Sequence, residues 1–134
     1  MKVLKPLHFD QTGRISVSIN HRIFFIEMSL IQYCTADGNY TDIHHIDGTT
    51  FIISDNLGDV LKKLEQFGFF AIDKSCVINL MYIRGMTQER NAKVMLDDSV
   101  ELKVARDRKS ELMNILFDLW CVLIAGDLLY LSFL

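Results

Sequence analysis

Proline is nearly absent from this chain: Pro6 is the only one in 134 residues, which excludes a proline-rich linker. Cysteine is sparse too. Cys34, Cys76 and Cys121 are odd in number, widely spaced and contain no CxxC pair, which argues against a disulfide framework or a zinc knuckle and for reduced, mostly buried thiols. Charge is modest at 23% of residues, and its balance of −3 by itself argues against a nucleic-acid partner. There is no glycine-rich phosphate loop, no G-x-S-x-G and no cysteine in an activating motif, so catalytic residues and cofactors are expected to be none. Residues 1–9 lack the sustained apolar stretch and small-residue cleavage site of a signal peptide, which predicts a cytoplasmic protein.

What is present is apolar and locally patterned. Half of the residues are hydrophobic, enough for one domain with a proper core and too few residues for two. Charge varies along the chain: Lys103, Arg106, Arg108 and Lys109 crowd four cations around the single anion Asp107, while Asp97, Asp98 and Glu101 are acidic. A DNA-binding surface needs such local positive charge and not a basic total. His44-His45 invites a metal reading, but neighbours on a strand point to opposite faces, and His8, His21 and Cys34 add no ligand spacing; no metal is expected.

The pattern is one of short strands between turn signals. Residues 1–14 read as a loosely structured lead-in. Ile15–Ile19 alternates apolar and polar residues, Asn20-His21 suits a turn, and Arg22–Ile26 resumes the strand before Met28-Ser29 breaks it. Leu30–Ala36, Asn39–Ile46 and Thr49–Ile53 follow, separated by the turn signals Asp37-Gly38 and Asp47-Gly48. Ser54 or Asp55 is placed to cap an amphipathic helix with Leu57, Val60, Leu61 and Leu64 on one face, ended by Gly68. Short strands are predicted at Phe69–Ile72, Tyr82–Met86, Ala92–Leu96 and Val100–Val104, with a turn at Asp97-Asp98-Ser99. A helix then opens at Arg106 or Asp107. The predicted fold is mainly β, with α+β as the alternative: compact antiparallel sheets, one or two short helices and an apolar helical tail.

Several blocks carry a family resemblance. Ala36-Asp37-Gly38-Asn39-Tyr40-Thr41 resembles an "A-x-G-N-Y-T" segment, and Leu61–Leu64 before Phe69-Phe70 resembles a single amphipathic helix. The run from Lys74 to Ile83 is similar to "R-S-x-I-V-N-L-x-x-I". Leu96-Asp97, Leu102 to Arg106, and Arg108-Lys109 are similar to "L-x-D-G-x-x-L-P-V-S-R-R-R". In this order and spacing, across residues 15–116, they resemble the LytTR DNA-binding domain. That resemblance implies a transcription regulator that sets loops, and not a recognition helix, into the major groove of double-stranded DNA. The DNA-facing places it implies are the turn at Asn39-Tyr40, the segment around Lys74-Ser75 and the segment around Arg106. Side-chain chemistry is compatible: Arg106 offers a planar fork for guanine, Asn39 a donor and an acceptor for adenine. Lys74, Arg108 and Lys109 suit phosphates, and Ser75 can donate to one.

The plainer readings stand beside these. Asn39 after Asp-Gly is also an ordinary turn residue, a Lys/Arg cluster opening a helix is also a solvated face, and Asn79 in an apolar block is assigned to backbone hydrogen bonding. Three positions depart from the family pattern. Asp73 stands where many members carry histidine and is expected to repel phosphate; Ser99 replaces a turn glycine; Ala105 replaces a serine and removes one phosphate contact.

Residues 117–134 are the part the resemblance does not cover. Their polar residues are few, with Asp118, Gly126, Asp127 and Ser132 interrupting an apolar run. Nine Leu, Ile, Val and Phe residues from Leu119 on favour membrane insertion by about 3–5 kcal/mol, against about 2.5–3.5 for Asp127. Packing onto the domain, a homodimer contact and a membrane contact are the three readings, the first two favoured. The second functional reading is accordingly a protein-interaction or dimerisation module of the same fold with weak or lost DNA binding. The 14 residues ahead of Ile15 are too few for a receiver domain, so control by phosphorylation of one is not expected.

Overall fold

The computed structural model describes the backbone of residues 3–9, 13–97 and 99–131, and the side chains of residues 13–97 and 99–118. Eleven strands and two α-helices are formed within them. In chain order the strands are β1 (Val3–Phe9), β2 (Arg14–Ile19), β3 (Arg22–Glu27), β4 (Ile31–Asp37), β5 (Tyr40–His45) and β6 (Thr50–Ile53). Helix α1 (Leu57–Leu64) follows, then β7 (Phe69–Asp73), β8 (Cys76–Asn79), β9 (Gly85–Met86), β10 (Lys93–Met95), β11 (Glu101–Lys103) and helix α2 (Arg106–Leu131). Eight strands form one sheet in the order β3-β2-β1-β6-β5-β4-β8-β7, and β11-β10-β9 form a second. Every pairing is antiparallel except β1 with β6. The mainly β, antiparallel expectation is therefore met.

Strands β7 and β8 form a wall between two cores. Phe69 and Val77 point into one core with Ile15, Val17, Ile31, Ile43 and Ile53, which α1 covers through Leu57, Val60 and Leu64. Phe70, Ile72, Cys76 and Ile78 point the other way, against Val94 and Leu96 of the small-sheet region, Val104, and Leu112 of α2. This is the period-two alternation of a strand, with both faces apolar. Each of the fully buried aliphatic side chains contributes about 1.5–3 kcal/mol by leaving water.

Three local expectations are revised. The stretch read as a loose lead-in contains β1, which joins β2 to β6 inside the large sheet. Its proline sits at a register shift between Pro6 and His8, the kind of irregularity at which a strand tolerates proline. The cap of α1 is Asn56, not Ser54 or Asp55: its Oδ1 accepts from the Asp59 N–H at 2.9 Å. In the 80–86 region only Gly85–Met86 is strand, because Leu80–Tyr82 turns as a 3-10 helix. Helix α2 opens at Arg106, as expected, and runs through Leu131.

Polar side chains, one buried and one partly buried, reinforce the wall. Asn79 donates from Nδ2 to the Ile31 carbonyl at 2.9 Å and accepts from the Met81 N–H at 3.1 Å, the backbone-bonding role read from sequence. Tyr82 donates its hydroxyl to the Ser29 carbonyl.

Candidate nucleic-acid interface

Three turns end at one corner of the fold. The first is the two-residue turn between Asp37 and Tyr40, which are paired across β4 and β5. Gly38 takes φ +60° there, a conformation that a side-chain-bearing residue adopts only with strain. The turn leaves Asn39 exposed and Tyr40 exposed to 46%.

The second turn, Asp73-Lys74-Ser75, connects β7 to β8. Asp73 Oδ1 accepts from the Ser75 N–H at 2.7 Å and from the Ser75 hydroxyl at 3.1 Å. The carboxylate therefore builds the turn that presents Lys74. Sequence reading assigned Asp73 only a repulsive effect on phosphate; the structure gives it this local job as well. The same device recurs at Asp97 with Ser99, at 2.7 Å to the N–H, and at Asp47 with Thr49, also at 2.7 Å. Ser99 thus completes a side-chain-built turn of its own. Gln32 donates to the other Asp97 oxygen at 3.1 Å, and that bond, with those from Ser99, holds the Asp97 carboxyl down at about 2.

The third segment is the entry to α2. Arg106 is exposed and reaches Asn91 Oδ1 from Nη2 at 3.3 Å. Lys109 donates from Nζ to the Glu89 carbonyl at 3.0 Å. Both cations therefore tie α2 to the loop between β9 and β10, which also carries exposed Arg90. Arg108 is committed differently. It donates from Nε to the Ala71 carbonyl at 2.9 Å and from Nη1 to Glu111 at 2.7 Å, with its guanidinium 4.4 Å from the Phe70 ring centroid. It bolts α2 onto β7, a role the sequence reading, which gave it a phosphate, did not foresee.

Two backbone hydrogen bonds lock the segments together. The Ala36 N–H donates to the Ser75 carbonyl at 2.9 Å, joining the first turn's strand to the second turn. The Ala105 N–H donates to the Ile72 carbonyl at 2.8 Å, joining the second turn's strand to the entry of α2. A depression of about 470 Å³ lies between the second turn and the entry of α2, lined by Ala71, Asp73, Lys74, Ser75, Ala105, Asp107 and Arg108. Thus Asn39, Lys74 and Arg106 come from neighbouring segments of one corner. Asn91 and Arg90 were missed in the sequence, where Thr87–Ala92 looks like any polar hairpin loop.

Burial dominates the remaining titratable groups nearby. Cys76 is pushed up to about 12 by burial, with a smaller contribution from the Asp73 charge, and Cys34 is raised by the same cause. His44 stacks on Tyr33 with ring centroids 4.1 Å apart and bonds Thr35 at 2.9 Å; burial lowers its pKa. Among the described residues no three His, Cys, Asp or Glu side chains are grouped to hold a metal ion.

The LytTr DNA-binding domain family model matches residues 21–117, nearly the whole of both cores. The chain belongs to the LytTR family. The LytTR domain is a DNA-binding domain of transcription regulators, not an enzyme family, and double-stranded DNA is its class of partner. A solved structure with the same fold is the LytTr DNA-binding domain of a putative methyl-accepting/DNA response regulator from Bacillus cereus. The two share 14% sequence identity with a TM-score of 0.65, over 78% of this chain and 96% of that one. No curated protein matches the chain. In this LytTR domain no helix among the described residues is long and apolar enough to cross a membrane. The side chains from Leu119 on, which would distinguish packing onto the domain, a homodimer contact and a membrane contact of the tail, lie outside the described residues.

Proposed function

We propose that this LytTR domain binds specific duplex sequences by setting its three turns into the major groove and the flanking phosphates. The observation that carries the reading is the pair of backbone bonds, Ala36 to Ser75 and Ala105 to Ile72, which hold the three turns at one corner. Arg106 is exposed and long enough to present its fork to guanine O6 and N7; Asn39, at the tip of its turn, presents a donor and an acceptor to adenine. Lys74 meets a phosphate, Tyr40 packs against the backbone beside Asn39, and Lys109 adds positive charge at the rim. Ser75 contributes its hydroxyl once that group turns from Asp73. Arg108 acts through the position of α2. The net charge of −3 places the whole attraction on this corner, so binding is expected to be weak in the absence of the right bases.

Selection from random duplexes with the full chain tests the reading: a recurrent motif is expected, and recovery of none at low salt contradicts it. Lys74→Ala should weaken binding to all duplexes alike and reduce the salt slope by about one.

A further inference from the structure

We propose that Asn91 is a positioning residue for base reading, its side-chain carbonyl holding the Arg106 guanidinium so that one hydrogen-bonding edge stays whole for a base. This role rests on the base reading assigned to Arg106 above. Asn91 lies in the loop between β9 and β10, and Arg106 opens α2. Arg106 donates from Nη2 to Asn91 Oδ1 at 3.3 Å. Both residues are exposed, so the bond adds little to folding, and its use lies in orientation.

The frame around the bond is stiff. Ala92, next to Asn91, is buried, and its carbonyl accepts from the Val104 N–H at 2.9 Å. Val104 itself stands just ahead of Arg106. The loop closes on itself where the Thr87 N–H donates to the Lys93 carbonyl at 2.9 Å and the Lys93 N–H donates to Thr87 Oγ1 at 3.0 Å. From α2, Lys109 Nζ donates to the Glu89 carbonyl at 3.0 Å. The backbone of Asn91 is thus fixed relative to that of Arg106 from both sides, and a short side chain is all that separates the Asn91 oxygen from this frame.

The fork of Arg106 has room for this partner and a base together. A guanidinium carries five N–H groups in one plane. Nη2 contributes one N–H to the edge it shares with Nε and one to the edge it shares with Nη1. A single acceptor on Nη2 therefore occupies one edge and leaves the other complete, and a complete edge is what a bidentate contact with guanine O6 and N7 requires. An unrestrained arginine loses rotamer freedom on binding, and restraint in the free protein reduces that cost. Restraint also favours one direction of approach, so the gain goes to a duplex that places guanine there and not to phosphates at large. Asn91 is neutral and leaves the long-range attraction unchanged.

Affinities of the full chain at one fixed salt concentration, for the duplex recovered by selection and for a scrambled one, test this. Asn91→Ala is expected to lower the ratio of the two affinities about two- to tenfold, with scrambled-duplex binding and the salt slope unchanged. Asn91→Asp keeps an oxygen for Nη2 and adds a negative charge. It should weaken binding to both duplexes alike and hold the ratio within about twofold of the parent. Asn91→Ala added to Arg106→Ala should bind the selected duplex no more weakly than Arg106→Ala alone. Melting temperatures report that each chain is folded. A ratio that survives Asn91→Ala while Arg106→Ala collapses it overturns the role of Asn91 and leaves the base reading standing. A ratio unaffected by Arg106→Ala, or a selection that returns no motif, removes both. A further loss in the double variant means that the amide contacts DNA itself, and a ratio for Asn91→Asp as low as that for Asn91→Ala means that an acceptor for Arg106 is not what counts; either overturns the role.

Discussion

The guanidinium of Arg108 sits over the ring of Phe70, 4.4 Å from its centroid, while its Nε bonds the Ala71 carbonyl. One side chain from α2, two residues after Arg106, thus grips Phe70 and Ala71 of β7, just ahead of the turn that Asp73 opens. Arg108→Ala is expected to lower stability by about 1.5–3 kcal/mol through the lost charged hydrogen bond and ring contact. Arg108→Lys should recover little, because an ammonium cannot bond the carbonyl, bond Glu111 and lie flat on the ring together. Urea melts of both variants check this. Arg106→Ala, at an exposed position, should melt within about 0.5 kcal/mol of the parent.

Asp73 separates two effects that one substitution would confuse. Asp73→Asn keeps an oxygen to accept from Ser75 and removes the charge, so DNA binding should tighten about two- to fivefold with stability nearly unchanged. Asp73→Ala removes the acceptor and should loosen the turn, weakening binding while costing about 1 kcal/mol. Fluorescence anisotropy on one duplex, with melts alongside, distinguishes them. Equal affinities for the two variants would remove the turn-building role.

Asp97 predicts an acid limb in the stability profile. Hydrogen bonds from Gln32 first, then from Ser99, lower its carboxyl from the ordinary 3.8 to about 2. A depressed carboxylate stabilises the fold above its unfolded value, and that contribution is lost as pH falls through the folded one. Stability should therefore decline between about pH 4 and 2, and Gln32→Ala should shrink the decline in that window, read by melting temperature against pH.

Buried Asn79 serves two backbone groups at once, so Asn79→Ala should cost about 1–3 kcal/mol by leaving the Ile31 carbonyl unbonded. Chemical denaturation measures the loss; an unchanged midpoint would mean water replaces the amide.

How far the sequence revealed this fold depended on how far apart the partners were. Hairpins closed by Asn20-His21, Asp37-Gly38 and Asp47-Gly48 were readable because turn chemistry and alternation lie within a few residues of each other. Strand β8 left no alternation to read, since Cys76, Val77, Ile78 and Asn79 are all buried between two cores. Strand β1 was hidden by Pro6, whose place at a register shift depends on a partner strand. The three turns were legible through the family resemblance, but their union was not. It depends on Ala36 with Ser75 and Ala105 with Ile72, bonds between residues more than thirty positions apart in both cases. For the same reason a run of cations gave no sign that Arg108 would be committed to β7 while Arg106 stayed exposed.

The central claim is that the corner formed by Asn39, Lys74 and Arg106 reads base sequence. The most direct measurement is the affinity of Arg106→Ala for the selected duplex and for a scrambled one, at one fixed salt concentration. The account predicts a loss of about 1–3 kcal/mol on the selected duplex, little change on the scrambled one, and so a collapse of discrimination. Unchanged discrimination in a folded Arg106→Ala chain would contradict it.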